Sequence, residues 1–97
     1  MASVQIKNTY GDKSDSEVFD AAKQAIVNAG YEVWKTRDLA KLVLGTGKEN
    51  GQEVRLNVVV SMVDGSATIS AEGDDLDETA LNPVVEKVHA EMVKLLA

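Results

Sequence analysis

The chain has 97 residues, 44% of them apolar and 27% charged, with a formal net charge of −6 and no cysteine. That length suits one domain spanning 1–97 with a core of its own. The missing thiols exclude disulfides, thiolate nucleophiles and thiolate metal sites, and the acidic balance opposes binding to phosphate backbones, which relies on clustered Lys and Arg.

In chain order, residues 3–9 alternate weakly, with Val4 and Ile6 apolar, and read as a short strand broken by Tyr10-Gly11-Asp12. Ser14 and Glu17 have the spacing of a capping box, so a helix is expected to about Ala29. Its stripe is Val18, Ala22, Ala25, Ile26 and Ala29, with Phe19 beside it, and Gly30 is placed to stop it.

Tyr31 to Thr36 alternates as a strand, Arg37-Asp38 reads as a tight turn, and a second strand follows from Leu39 to Thr46. Pairing Thr36 with Leu39 makes Tyr31, Val33, Leu42 and Leu44 an inner face. It sends Glu32, Trp34, Lys41 and Val43 to the opposite side. For the turn at 47–52 two registers compete. A two-residue Asn50-Gly51 loop puts Val43 opposite Val58 and turns Leu42 and Leu44 outward. A three-residue loop, Glu49 to Gly51, pairs Leu44 with Leu56 and Leu42 with Val58. The second is expected here, because it buries two leucines at roughly 1.5–3 kcal/mol each.

The stretch Val54 to Glu72 is a hairpin of β-branched residues around Asp64-Gly65. A two-residue turn there sets Val60 opposite Ile69, Met62 opposite Ala67 and Val58 opposite Ala71. The acidic run 72–78 is a solvated connection. Pro83 fits best as the first residue of a helix capped by Asn82 and running to about Leu96, with Val85, Val88, Met92, Leu95 and Leu96 inward, and a turn of helix before Pro83 is the open alternative, since Thr79-Ala80-Leu81 is not strand-like. The predicted class is α+β: a two-layer, mostly antiparallel sheet of four to five strands with two helices on one face, in the order β-α-β-β-β-β-α. The first strand is expected parallel to a neighbour through a right-handed crossover, the neighbour being undetermined.

The motifs that suggest chemistry fail on detail. Gly45-Thr46-Gly47-Lys48 lacks the phosphate-loop glycine at position 42, which is Leu, and the hydroxyl residue after the lysine, where Glu49 stands. The dinucleotide fingerprint would need glycine at 50, which is Asn. The acidic run has no calcium-loop ligand ladder. His89 is the only histidine, so it has no second imidazole for a metal site, and it is expected at a surface or boundary. No catalytic residue, cofactor or metal is expected, and no nucleic-acid partner. No apolar run approaches the roughly 20 residues that cross a bilayer.

From Val18 to Gly73 the chain resembles small bacterial envelope lipoproteins of unknown function, on the helix ending in Ala-Gly-Tyr-Glu-Val at 29–33, the antiparallel strands and the closing helix. The resemblance implies a helix-on-sheet domain without known catalysis, exported and lipid-anchored; no functional residue carries over. The chain itself has no apolar signal core and no lipid-bearing Cys. A cytoplasmic site is expected if the start is native, and the envelope or periplasm if a signal segment was removed. The order helix, three strands, helix also occurs in double-stranded RNA-binding domains, but the acidic run before the last helix is the wrong sign for that surface.

Trp34 is the one residue that points to a role. Alternation sets it on the open side of the sheet, and Glu32, Trp34, Lys41, Val43, Asn57 and Val59 form the candidate interaction face. The functional expectation is a non-enzymatic interaction or structural domain, using that face for a homodimer or a protein partner. The competing one is a small-molecule-binding domain or enzyme with a pocket between helices and sheet, for which Tyr31 is the inward polar candidate.

Overall fold

The first helix, α1 (Asp15–Asn28), begins where Ser14 accepts a hydrogen bond from the Glu17 amide at 3.2 Å. It ends in a Schellman motif: the Gly30 amide donates to the Val27 carbonyl and the Tyr31 amide to the Ile26 carbonyl, each at 3.0 Å, with Gly30 at φ +95°. That stop fixes where Tyr31 leaves the helix. The computed structural model describes residues 2–97. Its remaining elements are strands β1 (Ala2–Asn8), β2 (Glu32–Arg37), β3 (Leu42–Glu49), β4 (Gln52–Val60) and β5 (Ala67–Gly73), and the helix α2 (Glu78–Leu96).

Among the described residues the strands form one open sheet in the order β1-β5-β4-β3-β2, antiparallel throughout, and both helices cover one face. The architecture is the α+β order β-α-β-β-β-β-α that the sequence predicts. The first strand corrects one expectation. Its hydrogen-bonded neighbour is β5, antiparallel, with Val4 opposite Ala71 and Ile6 opposite Ile69. The connection through α1 therefore joins strands on opposite edges of the sheet, and β1 covers the free edge of β5.

The turn at 47–52 takes the two-residue form. Asn50 and Gly51 lie at φ +53° and +79°, Glu49 pairs with Gln52, and Val43 stands opposite Val58. Leu42 and Leu44 consequently face outward and Val43 is fully buried, the reverse of the expected arrangement. Two effects outweigh the two leucines. The positive-φ turn matches the twist of the strands, and it places Gly45 and Gly47 inward, where bulk is not admitted. A Cβ on Gly45 would lie 3.0 Å from the Glu32 carbonyl oxygen and 3.1 Å from Ile26. A Cβ on Gly47 would overlap the Tyr31 ring.

The connection between β2 and β3 is also longer than a tight turn at Arg37-Asp38. Arg37 pairs with Leu42, so 38–41 form the loop, and the register shifts between Val33 and Lys35. Trp34 falls at that bulge without a cross-strand partner. The central hairpin is offset by two residues from the expected register: Val60 pairs with Ala67 and Val58 with Ile69. A shift of two preserves which side chains face inward. The loop is held by Asp64, whose carboxylate accepts from the Ser66 amide at 3.0 Å and the Ser66 hydroxyl at 2.7 Å.

The second helix starts a turn before Pro83, capped by Asp77, which accepts from the Ala80 amide at 3.0 Å. Pro83 lies on its exposed side, and Leu81, Val84, Val85, Val88 and Met92 are buried. Leu96 packs on the core but Leu95 is exposed, against expectation, because the stripe has already turned past it. The inner layer is filled by Val18, Ile26, Val58, Ile69, Val85 and Met92.

Candidate interaction face

The strand registers place the outward side chains in rows across the sheet, three of which span all five strands. One row is Arg37, Leu42, Val59, Thr68 and Lys7. The middle row is Lys35, Leu44, Asn57, Ser70 and Gln5. The third is Glu32, Thr46, Arg55, Glu72 and Ser3. The apolar residues Leu42, Leu44 and Val59 lie together over β3 and β4, with Val59 44% exposed and both leucines half-buried. Trp34 stands at the bulge on the β2 margin, 61% exposed. The β5 and β1 half of the face is polar, as is usual for a sheet face in water.

Of the expected face, Glu32, Asn57 and Val59 take outward register positions, and Trp34 is exposed at the β2 margin, next to Glu32 in the chain. Val43 and Lys41 do not belong to it. Val43 is at the centre of the core. Lys41, at φ +52°, reaches toward the helices, its Nζ 5.2 Å from the Phe19 ring centroid and 3.5 Å from Ser16 Oγ, to which it donates. Sequence reasoning missed Leu42 and Leu44. Asn50-Gly51 was the signal that could have found them, together with the glycines alternating with Val43.

The remaining polar groups join parts of the fold. The Tyr31 hydroxyl donates to Glu49 Oε1 at 2.6 Å, and Lys87 Nζ donates to the same oxygen at 2.8 Å and to the Tyr31 hydroxyl at 3.2 Å. This trio ties α2 to the end of β3. The hydrogen bond from Lys87, then that from Tyr31, holds the Glu49 carboxyl below its usual value. The hydrogen bond to Glu49 raises Lys87, and burial followed by the hydrogen bond to Glu49 raises Tyr31. Such shifts favour a closed, charge-paired clamp rather than a phenolate ready to take a proton. His89 is half-buried, and its Nδ1 hydrogen-bonds the Tyr10 hydroxyl at 2.8 Å, joining the β1–α1 connection to α2. Burial pushes Tyr10 up to about 12.

Concavities lie beside β4 and the residues after β5, and between the β1–α1 connection and the C-terminal end of α2. One, of about 140 Å³, is lined by Gln52, Glu53, Arg55, Asp74 and Asp75, and Arg55 bridges Glu72 and Asp74 at 3.4 and 3.2 Å. The other, of about 260 Å³, is lined by Thr9, Tyr10, Val93, Leu96 and Ala97. Among the described residues no helix is long and apolar enough to cross a membrane.

No protein-family model matches the chain. No curated protein sequence matches it either. Among solved structures, the chain is similar to a DUF4468 family protein from Bacteroides ovatus, with a TM-score of 0.52 and 10% identity over 97% of this chain and 78% of that one. At that identity the likeness shows the fold alone, a small α+β domain shared with a protein of unknown function.

Proposed function

We propose that this is a non-enzymatic interaction domain that makes protein contact through the open face of its sheet. The observation that carries the reading is the placement of Leu42, Leu44 and Val59 together on the side of the sheet that no helix covers, with Trp34 at its margin. A solvated sheet face needs none of these residues. Threonines and serines serve there, as Thr68 and Ser70 do on the neighbouring strand. The helix-side layer argues against the enzyme alternative: it is packed with aliphatic side chains, and Tyr31, its inward polar candidate, is engaged with Glu49 and Lys87. An envelope setting, as the lipoprotein resemblance implies, belongs to the same proposal; fractionation of the producing cells checks it separately.

The test is photocrosslinking in those cells. A benzophenone side chain at position 44 is compared with one at position 86, on the exposed side of α2. Discrete protein adducts from 44 and none from 86 support the reading. Absence of adducts from both, with the protein folded and expressed, contradicts it.

A further inference from the structure

We infer that the partner on this face is a second copy of the same chain, packed face to face about a two-fold axis that lies above the open face, parallel to the sheet, and runs across the strands. This inference rests on the contact reading above and names its occupant. The argument is the charge pattern along the strands. Toward the 61–66 loop the outward strand positions carry Lys7 and Arg37, with Asp64 of the loop close enough to Lys7 for the two charges to interact; toward the Asn50-Gly51 turn, the acidic Glu32, Glu53, Glu72 and Asp74 outnumber Arg55 and Lys48. The face thus carries a net positive charge at one end of its strands and a net negative charge at the other.

Two axes parallel to the sheet and above its open face can stack such a face on itself. An axis along the strands sets basic end on basic end and acidic on acidic. An axis across the strands reverses strand direction and brings the Lys7 and Arg37 end of one copy over the acidic end of the other, twice. The same rotation keeps strand order, so the apolar β2–β4 half meets its own counterpart. Leu44, in the middle row, meets Leu44, and Leu42 comes over Thr46. Val59 covers the aliphatic stem of Arg55, and Lys35 at the margin can swing its ammonium into water.

Edge-to-edge pairing through β2 is a poorer alternative, since the Trp34 bulge and the adjacent Lys35 and Arg37 interrupt that edge. Size sets the strength. Strand spacing and rise give a footprint of roughly 400 Å² per copy, below the standard class of about 800 Å² per partner. The dimer is therefore weak and concentration-dependent.

The experiment is sedimentation velocity of the full chain from low micromolar to near-millimolar concentration, with circular dichroism to verify folding. The wild type should move from monomer toward dimer. Lys7→Glu with Arg37→Glu makes both ends acidic; Glu32→Lys with Glu53→Lys makes both ends basic. Each double variant alone should associate about tenfold more weakly or worse, and an equimolar mixture of the two should recover the wild-type behaviour. Leu44→Lys, at the axis, is a second route that leaves the core untouched and should abolish association. A wild type that stays monomeric over the whole range overturns the proposal, as does wild-type association by either double variant alone. A monomeric protein that still gives heterologous adducts from position 44 removes the dimer and leaves the contact reading standing; a monomer without adducts removes both.

Discussion

The Tyr31 ring lies against the backbone of Gly47 so closely that any side chain at position 47 would occupy the same space. One contact thus couples the end of α1, through its Schellman stop, to the inward face of β3, and it explains why a glycine stands at 47 where a sheet core would ordinarily carry an aliphatic residue. Gly47→Ala should destabilise the fold by about 1–3 kcal/mol, the usual range for overpacking, which corresponds to a fall in Tm of about 5–20 °C for a domain of this size. Thermal denaturation measures it. If the clash is with the ring, pairing Gly47→Ala with Tyr31→Ala should cost less than the sum of the two changes.

The Tyr31, Glu49 and Lys87 clamp has a definite pH signature. Glu49 titrates below its ordinary value of 4.5 in the folded chain, so its contribution is present above that value and is lost as pH falls through the folded value. Lys87 is raised above 10.5, so its contribution is present below 10.5 and is lost as pH rises through the folded value. Solvent screens the pair, since Lys87 is half-exposed, and the ion pair is worth less than about 1 kcal/mol. Glu49→Gln should accordingly lower Tm slightly at neutral pH, and the gap to wild type should close as pH falls from 4.5 through the lowered folded value of Glu49. A constant gap across that range would show that the charge on Glu49 contributes nothing.

How much of this could be read from the chain depends on the range of the interaction. Ser14, Glu17 and Gly30 act within a turn of their neighbours, and the ends of α1 follow from them. Val58, Val60, Ile69 and Ala71 face inward in any register of the same parity, so the inner side of the central hairpin survived a two-residue offset. Leu42, Leu44 and Val43 could not be assigned from hydrophobicity. Their faces are decided by what Gly45 and Gly47 must make room for, and those partners, Ile26 and the Glu32 carbonyl at Gly45 and Tyr31 at Gly47, come from other parts of the chain. The position of β1 beside β5 likewise depends on a crossover to the opposite edge that no local pattern encodes. The candidate face was legible in outline through Trp34, Asn57 and Val59, while its apolar centre was misplaced into the core.

If Leu42 and Leu44 serve contact rather than folding, their replacement by a residue suited to a solvated strand should leave stability nearly unchanged. Leu42→Thr and Leu44→Thr, singly, should shift stability by no more than about 0.5–1 kcal/mol in urea denaturation, while Val43→Thr, in the core, should lose more than about 1 kcal/mol. Equal losses at all three positions would mean that both sides of β3 are structural.

The most direct test uses the chain's only tryptophan. Trp34 is 61% exposed in the single chain, so emission from a dilute sample should be that of a ring in water. With rising concentration the account predicts a blue shift as β2 of one copy settles over β2 of the other, absent in Leu44→Lys. Emission that stays red-shifted at every concentration, or a shift that Leu44→Lys leaves intact, would contradict a dimer built on this face.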